Sequence, residues 1–266
     1  MRAPVAMAVL ATALILTTGP AALAQAPSAD APDSASQAEA REYQQAVSRM
    51  EGRGVPRDPA RAFETMSRLA EDGNAQAMHS LGVWTLQGRG APADTAGAIA
   101  LFRRSSRAGY PVATFALGEI TYGGLFGVAR DSLVGVELIR RAADARSADA
   151  ILWIAFAHYN GDRLPKDWPQ ARAEFKRAME VGDVRGMAAY GEMLLDGQGG
   201  PAGAEGLRHL RAAAAGGLGT AALTLAMIYR DGIRLVAADR DEARRWFARA
   251  RELGAPGVDA EEEKLR

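Results

Sequence analysis

The chain has 266 residues, 48% hydrophobic and 24% charged, with 29 glycines and little aromatic content, a balance that suits a globular protein with closely packed small-residue faces. Lysine plus arginine equals aspartate plus glutamate at 32 each, so no overall field favours nucleic acid or an acidic membrane surface. Cysteine is absent, which excludes disulfides, thiolate nucleophiles and cysteine-ligated metals together.

In chain order, the first element is a targeting segment. Arg2 supplies a positive start, an apolar run covers Ala6 to Leu16, and Ala22-Leu23-Ala24 forms a small-residue cleavage site before Gln25. The expectation is a signal peptide over 1–24, export to a bacterial periplasm or beyond, and a mature chain from Gln25. The apolar run is too short for a membrane span, and with no cysteine after the cleavage site no lipoprotein anchor is expected. Residues 25–36 are mostly Ala, Pro, Ser and Asp and bury too little to order themselves, which predicts a flexible leader.

From 37 to 256 a motif recurs. Leu81-Gly82, Leu117-Gly118, Ile154-Ala155, Tyr190-Gly191 and Leu225-Ala226 are spaced by 36, 37, 36 and 35 residues. A glycine follows each small residue, at Gly88, Gly124, Gly161, Gly197 and Gly232, and an earlier unit has Ala46 and Gly52 in register. A period of this size is that of a solenoid whose units must stack to hide their apolar sides. Within one unit, Ala77, Met78, Leu81, Gly82 and Leu86 follow the helix period, and Gly88-Arg89-Gly90 breaks it. A second helix then opens at a capping aspartate: Asp58, Asp94, Asp131, Asp167 and Asp239. The bulky second-helix position reads Met66, Phe102, Ile139, Phe175 and Phe247. The fifth unit departs, with Gly203 where an aspartate is expected, Arg211 where an aromatic is expected, and glycines at 216, 217 and 219; it should be the least stable or most bent. The prediction is an all-α fold, a right-handed α-solenoid of about six antiparallel helix pairs, with residues 257–266 as a tail or capping helix.

These residues resemble the Sel1-like repeat. Met50-Glu51-Gly52-Arg53-Gly54-Val55-Pro56-Arg57-Asp58-Pro59-Ala60-Arg61-Ala62 fits its turn, and Asp239 to Phe247 fits its second helix. The family aromatic of the first helix is replaced by Thr85, Thr121, His158 and Leu194 and kept at Tyr229. The shared residues are packing, turn and cap residues, so the resemblance bears on fold far more than on function.

Chemistry-bearing patterns are sparse. The Gly-x-Gly segments at Gly52 and Gly88 lack the Gly-Lys-Ser/Thr of a phosphate loop. His79, His158 and His209 lie in different repeats without metal-binding spacing. No nucleophile elbow and no Ser-x-x-Lys occurs. No catalytic residue, cofactor or metal site is therefore expected. Trp246 is assigned to packing, and Trp168, directly after a cap, to the surface.

What helix-pair solenoids offer is a concave wall of first-helix residues. The positions three before, one after and four after the small residue read His79, Val83 and Leu86; Phe115, Glu119 and Tyr122; Leu152, Phe156 and Tyr159; Ala188, Glu192 and Leu195; Leu223, Met227 and Arg230. The candidate groove is Phe115, Glu119, Tyr122, Leu152, Phe156, Tyr159, Glu192, Met227 and Arg230, its four aromatics acting as anchors or, in the competing reading, as core. The expected partner is a protein or peptide in the bacterial envelope, with no nucleic acid and no membrane anchor. The resemblance implies a sharper version, a regulator holding the periplasmic domain of a sensor kinase. The alternative is a ligand-binding or hydrolytic protein acting on cell-wall material or in polysaccharide export. Glu119 and Glu192, two repeats apart and about 20 Å distant for helices packed roughly 10 Å apart, are too far apart for the roughly 5–10 Å of paired glycosidase carboxylates.

Overall fold

The computed structural model describes residues 34–265 apart from 234; the expected signal peptide and most of the expected leader lie outside them. Among the described residues there are thirteen helices and no strand, and the chain folds as two compact units, 34–147 and 148–265.

The first unit holds α1 (Ser34–Glu51), α2 (Pro59–Glu71), α3 (Ala75–Gln87), α4 (Thr95–Arg107), α5 (Pro111–Gly123) and α6 (Ser132–Asp144). α1 begins inside the stretch expected to be leader. Each helix packs on its neighbours in the chain. The capping aspartates act as read from sequence: the carboxylates of Asp58, Asp94 and Asp131 accept from Arg61 N, Gly97 N and Val134 N at 3.0 Å each. Asn74, not foreseen, caps α3 by accepting from Ala77 N at 2.7 Å. Met66, Phe102 and Ile139 are fully buried. Gly118 lies so close to α6 that a Cβ there would meet Ile139 Cγ1 at 2.6 Å and Gly135 O at 3.1 Å, which is why the repeat needs a small residue at this position. Polar links join the helices within and between repeats: Tyr43 of α1 and Ser80 of α3 share a hydroxyl hydrogen bond of 2.7 Å, and Ser105 Oγ of α4 donates to Ala75 O of α3 at 2.6 Å.

The second unit holds α7 (Ala148–Asn160), α8 (Trp168–Glu180), α9 (Val184–Asp196), α10 (Gly206–Ala215), α11 (Gly219–Asp231), α12 (Arg240–Glu252) and the short α13 (Val258–Glu263). Asp167 and Asp239 cap α8 and α12, and Asp183 caps α9. Arg185 ties α9 to α7 through Asp149 Oδ1 at 2.6 Å. Phe175, Leu210 and Phe247 fill the second-helix core.

The fifth repeat differs from expectation in an instructive way. Its turn is one residue shorter, since Gly191 to Leu210 spans 19 residues where Gly82 to Phe102 spans 20. The shift puts Leu210 in the buried position and leaves Arg211 outside, donating to the Tyr229 hydroxyl. The preceding residue, Glu205, makes no side-chain cap bond, and α10 has 10 residues where the other second helices have 13.

Candidate protein-binding face

The first helices carry the face, and the pairing that builds the core decides which of their side chains it can use. α3, α5, α7, α9 and α11 lie against second helices through their small residues, so the stripe beside those residues lies at the edge of the core.

In unit 34–147 the stripe turns inward early. His79 and Val83 are buried, and the His79 ring sits 5.5 Å from the rings of both Phe102 and Tyr110, where burial depresses its pKa to about 4. Phe115 is buried at 4% exposure. It was expected on the groove wall; it is a core ring. Glu119 and Tyr122 are half-buried and engaged with neighbours.

In unit 148–265 Leu152, also expected on the groove, is buried at 4% exposure, and Ala188 and Leu195 are buried as well. Phe156 and Tyr159 are half-buried, with rings edge-on to the buried Phe175 at centroid distances of 4.9 and 6.4 Å. Each therefore serves packing on one side and keeps another side open. Glu192 and Met227 are half-buried. Arg230 has a side chain only 8% exposed and is held by Asp231 at 2.8 Å and Glu261 of α13 at 2.9 Å. Those carboxylates raise its pKa, the hydrogen bonds to Asp231 most of all. It is a structural latch for α13, no longer a cation available to a ligand.

Beside these lies an arrangement the stripe rule missed. Asp196 follows Glu192 by one helical turn on α9. Glu192 Oε1 accepts from Thr224 Oγ1 of α11 at 3.1 Å. Burial pushes the Glu192 carboxyl up to about 7, against the Thr224 hydrogen bond and helped by the Asp196 charge. Burial also raises the Asp196 carboxyl. The Tyr159 hydroxyl, bonded to Gln198, is raised by burial and further by Asp196 and Glu192. Tyr159, Glu192, Asp196 and Thr224 thus converge from α7, α9 and α11. The sequence signal available was the i, i+4 spacing of two acids at a helix end.

Of the other aromatics, Trp168 is exposed at 39%, as expected, and Trp246 is half-buried with its Nε1 enclosed. Among the described residues no group of three or more His, Cys, Asp or Glu could hold a metal ion, and no helix is long and apolar enough to cross a membrane.

Capped helix pairs joined by glycine turns and repeated along the chain define a helical-repeat scaffold. The chain belongs to the Sel1 repeat family, matching it over residues 42–74, 75–110, 111–147, 148–178, 184–218 and 220–254. Among solved structures it is similar to a Sel1 repeat protein from Oxalobacter formigenes, at 29% identity and a TM-score of 0.71 over 80% of this chain and 87% of that one. It also resembles in fold c5321, a protective antigen of uropathogenic Escherichia coli, at 23% identity and a TM-score of 0.52 over 85% of this chain and 56% of the other. The immunity protein Pa5087 of Pseudomonas aeruginosa shares the fold at 16% identity and a TM-score of 0.55 over 87% and 86% of the two chains. No curated protein sequence matches. Sel1 repeat proteins generally act as non-catalytic protein-interaction adaptors.

Proposed function

We propose that this chain is an adaptor or regulator of the bacterial envelope that binds a partner protein through the first-helix face of its repeats, after export and loss of residues 1–24. The observation that carries the reading is the half-open aromatic surface of Tyr122 in one unit and of Phe156 and Tyr159 in the other, first-helix rings that the core leaves partly uncovered. The export signal supports a periplasmic partner, and retention of a sensor kinase through its periplasmic domain is the sharpest version of this role.

The test is capture from a periplasmic extract with the wild-type chain and with Tyr122→Ala and Tyr159→Ala, followed by mass spectrometry. A specific partner whose binding weakens by about 1–4 kcal/mol in a variant of nearly unchanged melting temperature is the expected result. A partner held equally by all three chains would place binding elsewhere.

A further inference from the structure

A chain balanced in charge overall need not be balanced on each face, and the second helices of unit 34–147 are not. Four of the six large apolar side chains that the described residues leave exposed fall within 125–134: Leu125, Phe126, Leu133 and Val134, with Leu133 at 86% exposure. Val128 turns inward onto the core and leaves the others outside. Its N–H donates to Leu125 O at 3.0 Å, closing a tight turn whose central residues, Phe126 and Gly127, have φ of 56° and 78°. Two positive φ values in a turn favour Gly, Asn or Asp. Phenylalanine is strained there, and its ring, 38% exposed, gains little burial in return. The other turns of this unit, Gly52-Arg53-Gly54 and Gly88-Arg89-Gly90, carry arginine and glycine instead.

Beside the apolar turn lie uncompensated cations. Arg103, Arg104 and Arg107 are exposed on α4, which holds no acid, and Arg140 and Arg141 are exposed on α6. Arg104 donates to Ala70 O at 3.3 Å and Arg141 to Ser106 Oγ of α4 at 3.2 Å, both neutral oxygens, and the second bond draws the α6 cations to the α4 group. Among the described residues no carboxylate pairs with any of the five. On α12, by contrast, Arg244, Arg245, Arg249 and Arg251 are each held by a carboxylate at 2.9 Å or less. Along α6, Leu133 precedes Arg140 and Val134 precedes Arg141 by seven residues, which sets apolar and basic side chains on one face about 10 Å apart. Glu137 stands between them as the opposing acid, and Asp144 is engaged with a neighbour.

We propose that the second-helix face of unit 34–147 rests on an anionic phospholipid surface, with Leu125, Phe126, Leu133 and Val134 in the interfacial layer and the α4 and α6 arginines on the headgroup phosphates. Charge complementarity selects this occupant, since five cations without a carboxylate call for phosphates. The apolar side chains stand out from a turn and a helix start. A folded partner would need a matching hollow for them, whereas a fluid interface closes around them while the arginine stems reach back to the headgroups. Binding of this kind is peripheral and needs no spanning helix. It uses a face other than the one assigned to the protein partner and stands or falls apart from the adaptor reading.

The experiment is co-sedimentation of the chain from Gln25, which keeps every described residue and omits the apolar run of 6–16, with vesicles of phosphatidylcholine alone and of phosphatidylcholine mixed equally with phosphatidylglycerol. It should sediment with the mixed vesicles and not with the neutral ones. Phe126→Asn combined with Leu133→Ser should weaken the partition at least about tenfold, and so should Arg103→Gln, Arg107→Gln and Arg140→Gln together. Neither set should lower the melting temperature, and asparagine suits the strained turn better than phenylalanine, so a loss of binding is not a loss of fold. Glu137→Gln should strengthen binding, and Arg249→Gln on α12 should bind as wild type. Binding to neither vesicle, equal binding to both, undiminished binding by either multiple variant, or an equal loss in Arg249→Gln overturns the inference. A labelled peptide of alternating leucine and glutamate that the chain binds while leaving the mixed vesicles alone also overturns it, and assigns the surface to an acidic protein segment instead.

Discussion

At Glu192 the fold keeps a carboxyl whose pKa is about 7 in place of 4.5. As pH rises through that interval the unfolded chain releases a proton that the folded chain retains, so this residue's contribution to stability falls and is lowest above about pH 7. Glu192→Gln should accordingly raise stability by about 1–3 kcal/mol at about pH 8 and leave it nearly unchanged at about pH 4, measured by urea unfolding at both. His79 works in the opposite sense. Its pKa falls from 6.5 to about 4, so as pH drops through that window the unfolded chain takes up a proton the folded chain refuses, and stability declines. Gly118 sets a third expectation. A Cβ there already meets Ile139 at 2.6 Å, so Gly118→Leu should lower stability by about 1–3 kcal/mol or more, seen as a fall in melting temperature. Gly118 was legible from its place in the period. Glu192 was legible as a polar residue on the stripe and Asp196 as its neighbour one turn on, but the raised pKa was not, because it comes first from burial that only the packing of neighbouring helices produces, with Thr224 of α11 opposing it.

Among the elements, the second helices were read most securely, since a cap aspartate and a bulky core residue at fixed spacing mark each one. Asp94→Ala should lower stability by about 1 kcal/mol, read from denaturant unfolding, because the amide of Gly97 loses its acceptor. α10 shows where that reading stops. Spacing carried over from its neighbours put Arg211 in the core, but a turn shortened by one residue advances the register to Leu210, and only packing reveals the slip. With no side-chain cap and three residues fewer than α8, α10 should show faster amide hydrogen exchange in its first turn than α8 or α12. The first helices were legible as helices, but which of their aromatics face inward was not: Phe115 and Tyr122 have the same apolar period, and Phe115 alone is buried.

For the whole molecule, the signal peptide expected over 1–24 gives a prediction independent of packing: N-terminal sequencing of protein from its native host should begin at Gln25, and a chain retaining Met1 would refute export. Alanine scanning extends the same logic to the face. Phe115→Ala should destabilise by about 3–5 kcal/mol as loss of a core ring does, while Tyr122→Ala and Tyr159→Ala should act mainly on partner capture. The shortened fifth turn has one more consequence. Residues 198–205 carry three glycines, a proline and exposed positions at 200, 201, 204 and 205, directly ahead of an uncapped helix. A protease offered the folded chain in limiting amount should make its first cut in the described residues here, leaving α9 and α10 on separate fragments and the Thr224–Glu192 hydrogen bond as a link between the two.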